Sequence, residues 1–348
     1  MNTLQDFGWT DEKQREWSQL GLLDVQPARV IADFGTSLKL AIPDSITAEL
    51  SGKLAHYTLR DETPKVGDWV AVAITDSSSA TVESVVLRTN MIARKVAGKR
   101  VLKQIVAANV DIAFVLLALD NDFSIERLRR FVYQLSVNAI EMVIVLNKAD
   151  KTDDVQSYID QLQQFELPII VSTAIDGSGV SDIAARITYG RTGILLGSSG
   201  VGKSTLTNKL LGRNVQPTAE IRESDSTGKH TTVHRELFML PNGGMLIDTP
   251  GIRELQLWGT EKVLDDNFDD VIRLIRQCKY TTCRHNNEQG CAVRPALNDG
   301  TLDAKHYANF IKMRAELSTL AKKQTERAHI DNRRPQSRSH NARVEYDE

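Results

Sequence analysis

The sequence predicts a multidomain α/β protein with a small β-barrel near its N-terminus, a phosphate-binding α/β domain in the middle and a helical metal-binding domain near its C-terminus. Three observations support this prediction. Segments before residue 90 alternate apolar and polar residues, and segments after residue 110 alternate between strand and helix patterns around a glycine-rich motif. The cysteines all lie in one short stretch, between residues 278 and 291.

Composition and charge exclude several classes of protein. The 348 residues suffice for two or three domains, and the net charge of −2 does not indicate a nucleic-acid binder, so any basic surface must be local. Residues 1–17 contain no apolar signal core. The longest apolar run, residues 112–119, is far shorter than the roughly 20 residues of a membrane helix. We therefore expect a cytoplasmic protein without membrane contact.

The two ends of the chain carry no recognisable motif. Residues 1–24 are polar and charged, which predicts a weakly attached N-terminal arm. Trp9 and Trp17 either dock this arm on another surface or, as is commoner, pack on its own domain. Residues 322–348 are polar and rich in arginine, which predicts a basic disordered tail that contacts RNA or is only solvated.

Residues 25–90 show the period-two pattern of short β-strands separated by turn residues. The alternating segments are 29–32, 37–42, 65–72 and 81–86. Several such strands in about sixty residues predict a small barrel, with the oligonucleotide-binding (OB) fold as the natural candidate. A structural β-module that binds no ligand is the alternative at this point.

A basic connector follows the predicted barrel. Between Glu83 and Asp111 there is no acidic residue. Such a segment either contacts a phosphate backbone or is a solvated linker, and the sequence favours neither. The basic residues in it are Arg88, Arg94, Lys95, Lys99, Arg100 and Lys103.

From residue 111 the pattern alternates between strands and helices, which predicts a mostly parallel sheet covered on both faces. In such sheets, ligands bind at the carboxyl ends of the strands. Helices are predicted over 125–135 and 155–165. The predicted strands are 112–119, 140–146, 168–171 and 192–196.

A phosphate-binding loop follows the last of these strands and precedes a predicted helix. It matches G-x-x-x-x-G-K-[ST], a sequence whose backbone N–H groups and following helix N-terminus bind phosphates. Lys203 is expected to reach the outer phosphates and the Ser204 hydroxyl to bind Mg²⁺. A glycine-rich turn without function is the alternative. The predicted phosphate-binding residues are Gly197, Ser198, Ser199, Gly200, Val201, Gly202, Lys203, Ser204 and Thr205.

An N-K-x-D motif follows the strand at 140–146. The carboxylate of Asp150 can accept two hydrogen bonds, from the ring N–H and the amino group of guanine, and adenine offers no such pair. The asparagine and lysine are expected to brace the loop and cover the base, and an S-x-A segment after the strand at 168–171 to supply backbone contacts to it. The predicted base-binding residues are Asn147, Lys148, Ala149 and Asp150 with Ser172, Thr173 and Ala174.

Two further segments have the composition of loops that sense a terminal phosphate. Residues 218–233 show no periodicity and are predicted to form a mobile loop, in which Thr231 or Thr232 binds Mg²⁺ and the phosphate. The sequence does not decide between these two threonines. A predicted hairpin over 235–247 leads to a D-x-x-G match, where Asp248 is expected to hold Mg²⁺ through water and the Gly251 N–H to meet the phosphate.

The order of these motifs is rotated relative to ordinary GTPases, in which the phosphate loop comes first. Here N-K-x-D precedes the phosphate loop, which predicts a circularly permuted P-loop GTPase domain over residues 91–258. As a consequence, the D-x-x-G segment leads directly into the C-terminal domain, and nucleotide state can act on that domain.

Ile252, which follows D-x-x-G, cannot orient an attacking water as the glutamine of Ras-like proteins does. We therefore predict slow intrinsic hydrolysis, with the water positioned by another group or by a partner. His230 is the candidate in this chain, although a solvent-exposed position is the commoner fate of a loop histidine. The predicted catalytic residues are His230, Lys203, Thr231 and Thr232.

Residues 259–321 contain a predicted metal site. The spacing Cys278-x₄-Cys283-x-His285-x₅-Cys291 supplies three thiolates and one imidazole, a closed set that suits one structural Zn²⁺. Because no position is left for a catalytic water, the metal is expected to stabilise an α-helical zinc-binding domain. Apolar residues between 302 and 320 recur at helical spacing and predict a helix that packs on it. Unligated cysteines beside a surface histidine are the alternative.

Together these motifs resemble the ribosome small-subunit-dependent GTPase A (RsgA) family, over about residues 28–320. The resemblance depends on the rotated motif order, the barrel before it and the Cys₃His set after it. It implies a GTPase that is stimulated by the bacterial small (30S) ribosomal subunit and assists its late maturation. It also implies that the barrel and the zinc module contact 16S rRNA. We expect Mg²⁺ with GTP or GDP as cofactors, and a monomer.

Two other hypotheses stay open from the sequence. One is a nucleotide-gated RNA-binding module whose hydrolysis is incidental, which a hydrolysis-deficient variant that still supports subunit maturation would favour. The other is an ATPase or metabolic kinase, against which Asp150 argues. Equal displacement of GTP by ATP would favour that second hypothesis.

Overall fold

The computed structural model describes residues 3–42, 45–57, 63–95, 103–120, 122–173, 175–215, 235–248 and 257–333. The chain divides into two compact units, with a boundary between Trp258 and Gly259. The barrel and the phosphate-loop sheet lie in the first unit, and the cysteine cluster lies in the second. Each unit is described by itself below.

The first residues pack on the first unit, and the prediction of a weakly attached arm is wrong for them. A 3₁₀ turn (Gln5–Phe7) precedes helix α1 (Asp11–Gln19). Phe7 and Trp9 are buried, and the Trp9 ring lies edge-on to Trp69 with centroids 4.7 Å apart. Trp9 thus packs on its own domain, the commoner of the two outcomes expected for it. Together with Phe7 it buries enough apolar area to offset the entropy of ordering the arm.

Five strands of the described chain close a barrel in the order β1-β2-β3-β5-β4, with β4 pairing back on β1. Only β3 and β5 are parallel, so the topology is that of the predicted OB fold. Helix α2 (Gly52–Tyr57) follows β3. Strand β3 was not among the predicted strands although it alternates buried and exposed residues. The strands are β1 (Gln26–Asp33), β2 (Leu38–Ala41), β3 (Ser45–Leu50), β4 (Trp69–Ile74) and β5 (Ser79–Val85).

The basic connector is not an extended linker, because it forms an antiparallel hairpin of β6 (Met91–Lys95) and β7 (Lys103–Ala108). Arg88, which precedes this hairpin, forms hydrogen bonds within the barrel. Its guanidinium donates two hydrogen bonds of 2.7 Å to the buried carboxylate of Asp68. The side chains of the other basic residues of this segment lie outside the described ranges.

The middle of the chain forms a sheet in the order β10-β9-β8-β11-β13-β12, parallel except for β12. This confirms the predicted parallel sheet. All residues of β8 and β11 are buried, as expected when helices cover both faces. The strands are β8 (Ile112–Ala118), β9 (Glu141–Asn147), β10 (Ile169–Val171), β11 (Thr192–Gly197), β12 (Arg235–Met239) and β13 (Met245–Asp248).

Helices pack on each face of this sheet. Helices α3 (Ile125–Val137) and α4 (Val155–Leu162), the latter followed by a 3₁₀ turn (Gln163–Phe165), contribute to one apolar cluster. Helices α5 (Val180–Arg186) and α6 (Lys203–Leu211) contribute to the other. The two clusters hold the strand ends rigidly, which is the condition for a precise site at the edge of the sheet.

Barrel and sheet are continuous, because β1 also pairs with β12 in the register Ala32 to Glu236. Beside this junction the guanidinium of Arg29 is fully buried. It donates to the carbonyl oxygens of Phe7, of Gly67 at 3.3 Å and of Asn109 at 3.1 Å. Burial lowers the pKa of Arg29 to about 10, so it stays charged at neutral pH. One cation therefore ties the arm, the barrel and the residues before β8 together.

The second unit is helical. Helices α7 (Glu261–Asn267), α8 (Asp269–Arg276) and α9 (Val293–Asn298) precede the long α10 (Ala304–Arg333). Phe268 lies between α7 and α8 and is buried against Phe310 of α10, with ring centroids 5.3 Å apart. The predicted amphipathic helix over 302–320 is confirmed.

The prediction that a disordered tail begins at residue 322 is wrong for residues 322–333, which continue α10. These residues include no glycine or proline, and half of them are Ala, Lys, Glu or Arg, so the local sequence permits the helix to continue. The rest of the predicted tail, residues 334–348, lies outside the described ranges. Within those ranges, no helix combines the length and the apolar character that crossing a membrane requires.

Candidate functional site

The phosphate loop occupies the turn between β11 and α6, as predicted. Residues 198–201 form the turn, and Gly202 caps α6 in a left-handed conformation with φ of 102°. A Cβ at Gly197 would overlap the Leu116 carbonyl oxygen, and a Cβ at Gly202 would overlap the Asn147 side chain. Both positions therefore require glycine. The turn brings the N-terminus of α6 and the N–H groups of its first turn to the edge of the sheet.

Lys203 opens helix α6 with its ammonium folded back over the loop. Its Nζ donates to the carbonyl oxygens of Gly197, at 2.9 Å, and of Ser198. Ser204 and Thr205 follow in the first turn of the helix, and both are half-buried. The predicted phosphate ligands thus all lie at one helix start.

The N-K-x-D motif lies beside this loop, at the end of β9. Asn147 is fully buried, and its Nδ2 donates to the Val201 carbonyl oxygen at 2.7 Å. This bond joins the N-K-x-D motif to the predicted phosphate loop. Lys148 has a left-handed backbone with φ of 60° and caps a 3₁₀ turn that carries Asp150 (Ala149–Lys151).

The S-x-A segment is held against N-K-x-D by main-chain hydrogen bonds. The Ala149 N–H donates to the Ser172 carbonyl at 3.3 Å, and the Ser172 N–H donates to the Leu146 carbonyl at 2.8 Å. The Thr173 hydroxyl donates to Asp176, and this bond lowers the pKa of the Asp176 carboxyl. Ala174 lies outside the described residues.

A pocket of about 420 Å³ opens between these elements. Its volume lies in the range of small-ligand sites, about 300–1,000 Å³. Residues from N-K-x-D and the phosphate loop face each other across it. The lining residues are Asp120, Asn147, Lys148, Asp150, Lys151, Ile175, Gly202 and Thr205.

The D-x-x-G segment begins one strand away from the phosphate loop. Asp248 ends β13, which pairs in parallel with β11 in the register Ile194 to Ile247, and its side chain is buried. Its carboxylate is therefore at the same sheet edge as Lys203. The other predicted sensors and catalytic residues, His230, Thr231, Thr232 and Gly251, lie outside the described residues, as does Ile252.

In the second unit, the four predicted metal ligands converge. The three Sγ atoms and a ring nitrogen of His285 all lie within 4.8 Å of one another. The His285 Nδ1 is 3.5 Å from Cys278 Sγ and 3.6 Å from Cys291 Sγ. The cysteines form no disulfide. Such a set of soft donors with an imidazole can hold a metal ion.

The decisive comparison concerns the segment that carries the rotated motifs. The sequence profile of the family described as RsgA GTPase matches residues 85–258. This chain belongs to the RsgA GTPase family. Membership confirms the family that the motifs resemble and the enzyme class, a GTPase.

Curated relatives match nearly the whole chain. The "Small ribosomal subunit biogenesis GTPase RsgA" of Opitutus terrae is 36% identical over 335 residues, which cover 92% of this chain and 91% of that protein. The protein of the same name from Syntrophotalea carbinolica is 36% identical over 327 residues, 91% of this chain and 90% of that protein. "RsgA 1" of Oceanobacillus iheyensis is 39% identical over 292 residues, 82% and 83% of the two chains.

Two solved structures show the same fold. YjeQ from Thermotoga maritima has a TM-score of 0.57 at 24% identity and covers 84% of this chain and 98% of its own. YloQ, described as a circularly permuted GTPase, has a TM-score of 0.57 at 22% identity, covering 85% and 96%. These matches confirm the predicted fold class, including the permuted GTPase domain between an OB-like barrel and a C-terminal domain with the Cys₃His cluster.

Sequence reasoning missed the loop between β8 and α3 of this family member. The Ser198 hydroxyl of the phosphate loop donates to Asp122, which also pairs with Arg127 at 2.8 Å. The hydrogen bond from Arg127 holds the pKa of Asp122 below its usual 3.8. Asp120, in the same loop, pairs with Lys148 at 2.8 Å. The signal was available, since β8 is a buried parallel strand and its carboxyl end lies at the ligand-binding edge.

Proposed function

We propose that this chain is a Mg²⁺-dependent GTPase that binds the small ribosomal subunit and assists its late maturation, hydrolysing GTP to GDP and phosphate. One observation carries the proposal of a guanine-nucleotide site. The N-K-x-D motif and the phosphate loop meet at one sheet edge and are joined by the hydrogen bond from Asn147 to the Val201 carbonyl. The printed names of the curated relatives support the small subunit as the partner, which would place the work of this chain in the cytoplasm.

The choice of guanine rests on Asp150, which lines the pocket. An ionised carboxylate only accepts hydrogen bonds, so it matches the adjacent N–H and amino donors of guanine. In Asp150→Asn the amide presents one acceptor and one donor, which matches xanthine instead. We expect this variant to prefer xanthosine over guanosine nucleotides, and an unchanged preference in a competition titration would contradict the role of Asp150.

The phosphates would lie over the N-terminus of α6. There the Lys203 ammonium would release its hydrogen bonds to the carbonyl oxygens of Gly197 and Ser198 and donate to the outer phosphates instead. Carbonyl and phosphate oxygens are both acceptors for an ammonium group. Ser204 and the buried Asp248 are the proposed Mg²⁺ ligands, the latter through water. Thr231 or Thr232 and the Gly251 N–H are the proposed partners of the terminal phosphate.

His230 is the proposed residue that positions the attacking water, because isoleucine follows D-x-x-G. Water positioning by a histidine predicts that His230→Ala loses partner-stimulated turnover while nucleotide affinity is kept. Turnover equal to that of the unsubstituted chain would remove His230 from the mechanism. Lys203 is proposed to act on the same step by neutralising charge on the phosphates.

The proposed coupling between nucleotide state and the second unit follows from the connectivity. Asp248 ends β13, and the unit boundary at Trp258 lies a short distance further along the chain. The Trp258 N–H donates to Gln134 of α3 at 2.8 Å, so the last residue of the first unit is anchored to a helix of the nucleotide domain.

The remaining assignments are proposals from the donor chemistry and the family. The Cys₃His set suits one structural Zn²⁺. The barrel (residues 25–90), the nucleotide domain (91–258) and the zinc domain (259–321) are proposed as the modules of a monomer. The first and last of these are the proposed contacts to 16S rRNA.

The test is GTP hydrolysis with and without purified small ribosomal subunits over a series of salt concentrations. We expect strong stimulation that decreases as salt rises, because docking on RNA releases counterions. Large subunits and the Lys203→Ala variant are the controls. Stimulation by neither subunit at low salt would reject the small subunit as the partner, and ATP turnover equal to GTP turnover would reject the guanine-specific site.

A further inference from the structure

The nucleotide pocket has a charged wall that the motifs do not include. The Asp120 carboxylate contacts the Lys148 ammonium at 2.8 Å, and both residues line the pocket. About a third of each side chain is exposed, 32% for Lys148 and 33% for Asp120. An ion pair this exposed adds little to folding stability. The relevant effect of this ion pair is therefore the position in which it holds the Lys148 ammonium.

The sheet builds this contact. Strands β8 and β9 pair in parallel with Ala118 opposite Asn147, and the Leu119 N–H donates to the Asn147 carbonyl at 2.9 Å. Continuing this register places position 119 opposite Lys148, so Asp120 lies one residue beyond it in the segment that follows β8. The two charged groups meet because the paired ends of β8 and β9 bring these two segments together.

Both oxygens of Asp120 are engaged. Oδ2 accepts from Lys148, and Oδ1 accepts from the backbone N–H of Asp122 at 2.9 Å. Burial alone would raise the pKa of Asp120, but the hydrogen bonds from Lys148 and from the Asp122 backbone outweigh it, so the pKa lies below 3.8. The carboxylate is thus a fixed anion near neutral pH.

A second carboxylate, that of Asp150, lies close to Lys148 in the chain. Asp150 follows two residues later, and the structure gives it an ionic contact with Lys151 at the longer distance of 3.6 Å. If Lys148 turned towards Asp150, it would occupy the oxygens that guanine needs. The Lys148 ammonium instead contacts Asp120 in the wall of the pocket.

We propose that Asp120 is a positioning residue for guanine recognition, which holds Lys148 across the base site and thereby leaves the Asp150 carboxylate to the base. The inference rests on the proposed guanine-nucleotide site. It adds a residue outside N-K-x-D to the determinants of base specificity. A lysine side chain that is fixed in advance also loses less rotamer entropy when the nucleotide binds.

The test measures dissociation constants for GDP, IDP and ADP with the full chain, by displacement of a fluorescent guanine nucleotide. The variants are Asp120→Asn, Lys148→Ala and the two combined. Asp153→Asn removes the same charge from an exposed residue and is the matched control. IDP lacks the amino group of guanine, so it reports the Asp150 interaction directly.

We expect Asp120→Asn to weaken GDP binding about tenfold, which corresponds to about 1.4 kcal/mol. IDP binding should weaken less, so the preference for GDP over IDP decreases, while the melting temperature of the free protein is unchanged. In the Lys148→Ala background, the same substitution should change GDP affinity by no more than about twofold, because Asp120 acts through Lys148.

Two outcomes would overturn the proposal. In the first, Asp120→Asn has the same effect on GDP affinity as Asp153→Asn. In the second, the effect of Asp120→Asn persists in full in the Lys148→Ala background. The GDP and ADP affinities of the unsubstituted chain distinguish these outcomes from failure of the proposed guanine site itself. Equal affinity for GDP and ADP there would reject that site, whereas a preference for GDP with an inert Asp120 would reject only the positioning role.

Discussion

The proposed nucleotide site and the candidate metal site are built in opposite ways. The nucleotide site takes its side chains from the ends of four neighbouring strands, β9, β8, β11 and β13, which two apolar clusters cover. The metal site takes all four ligands from one connection between α8 and α9. Cys278 and Cys283 are only half-buried.

This difference predicts different roles for the nucleotide and the metal ion. A site on strand ends keeps its geometry through the core beneath it, so the nucleotide is bound by the fold and does not create it. A short loop with thiolates facing one another has no such core, and the ligand itself must hold it together. Losing the metal should therefore damage structure, whereas losing a nucleotide contact should damage binding.

The largest expected effect is metal removal. Chelation, or Cys283→Ser, should abolish the cooperative melting of the second unit, since metal binding contributes on the order of 10 kcal/mol to small zinc domains. GDP binding by the first unit should persist. Calorimetry and a GDP titration on the same sample measure both. Thr282→Ala, an exposed neighbour, is the control. If the chelated protein kept the melting transition of its second unit, the metal would not be what stabilises that unit.

A clash in the phosphate loop should cost binding without unfolding. A Cβ at Gly202 would overlap Asn147, whereas a Cβ at Gly200 meets nothing within 4 Å. Both glycines have positive φ, 102° and 79°, so both substitutions carry the backbone strain of about 1–2 kcal/mol. We expect Gly202→Ala to weaken GDP binding about a hundredfold more than Gly200→Ala does, or about 2.7 kcal/mol.

Equal affinities in these two variants would show that the Asn147 contact does not set the loop geometry. The melting temperatures of both variants, measured in parallel, distinguish a local clash from general destabilisation.

Replacing the buried cation tests whether barrel and sheet are one cooperative unit. Arg29→Met removes charged donors from several buried carbonyl oxygens and should destabilise the first unit by about 3 kcal/mol. Barrel and sheet should still melt together. Lys53→Met, at an exposed position of α2, is the control. A variant in which the barrel melts separately would show that β1 and β12 pair only weakly.

The smallest effect is expected at Asp122. Its folded pKa lies below 3.8, with the Arg127 hydrogen bond as the main cause, so its contribution is complete above pH 3.8 and is lost as pH falls through the folded value. The carboxylate is 41% exposed, so Asp122→Asn should cost less than about 1 kcal/mol. Melting temperatures of variant and parent should stay parallel from pH 8 to about 5 and converge in acid. Divergence between pH 5 and 8 would implicate another group.

Much of the candidate site could be predicted because its chemistry is local in the chain. The phosphate loop needs glycine where the backbone turns, and N-K-x-D carries its donors and acceptors on consecutive residues. Asp120 and Asp122 were not predicted. They reach Lys148 and Ser198 only through the parallel pairing of β8 with β9 and β11.

The arm and the tail show the limit of composition as a guide. Residues before α1 are mostly polar, yet Phe7 and Trp9 anchor them. Residues 322–333 are highly charged, yet they continue α10. For the arm the average polarity predicted weak attachment, and for the tail it predicted disorder. Aromatic contacts hold the arm, and α10 continues through residues 322–333.

The sequence by itself determined the fold class, the rotated order of the motifs and the proposed donor sets for phosphate, base and metal, because each depends on residues close together in the chain. Only the tertiary structure decided which distant groups meet. It buried Arg29 among carbonyl oxygens, paired β1 with β12 and brought Asp120 into contact with Lys148. These contacts depend on strand register and packing between distant segments, and the identity of a single residue does not specify either.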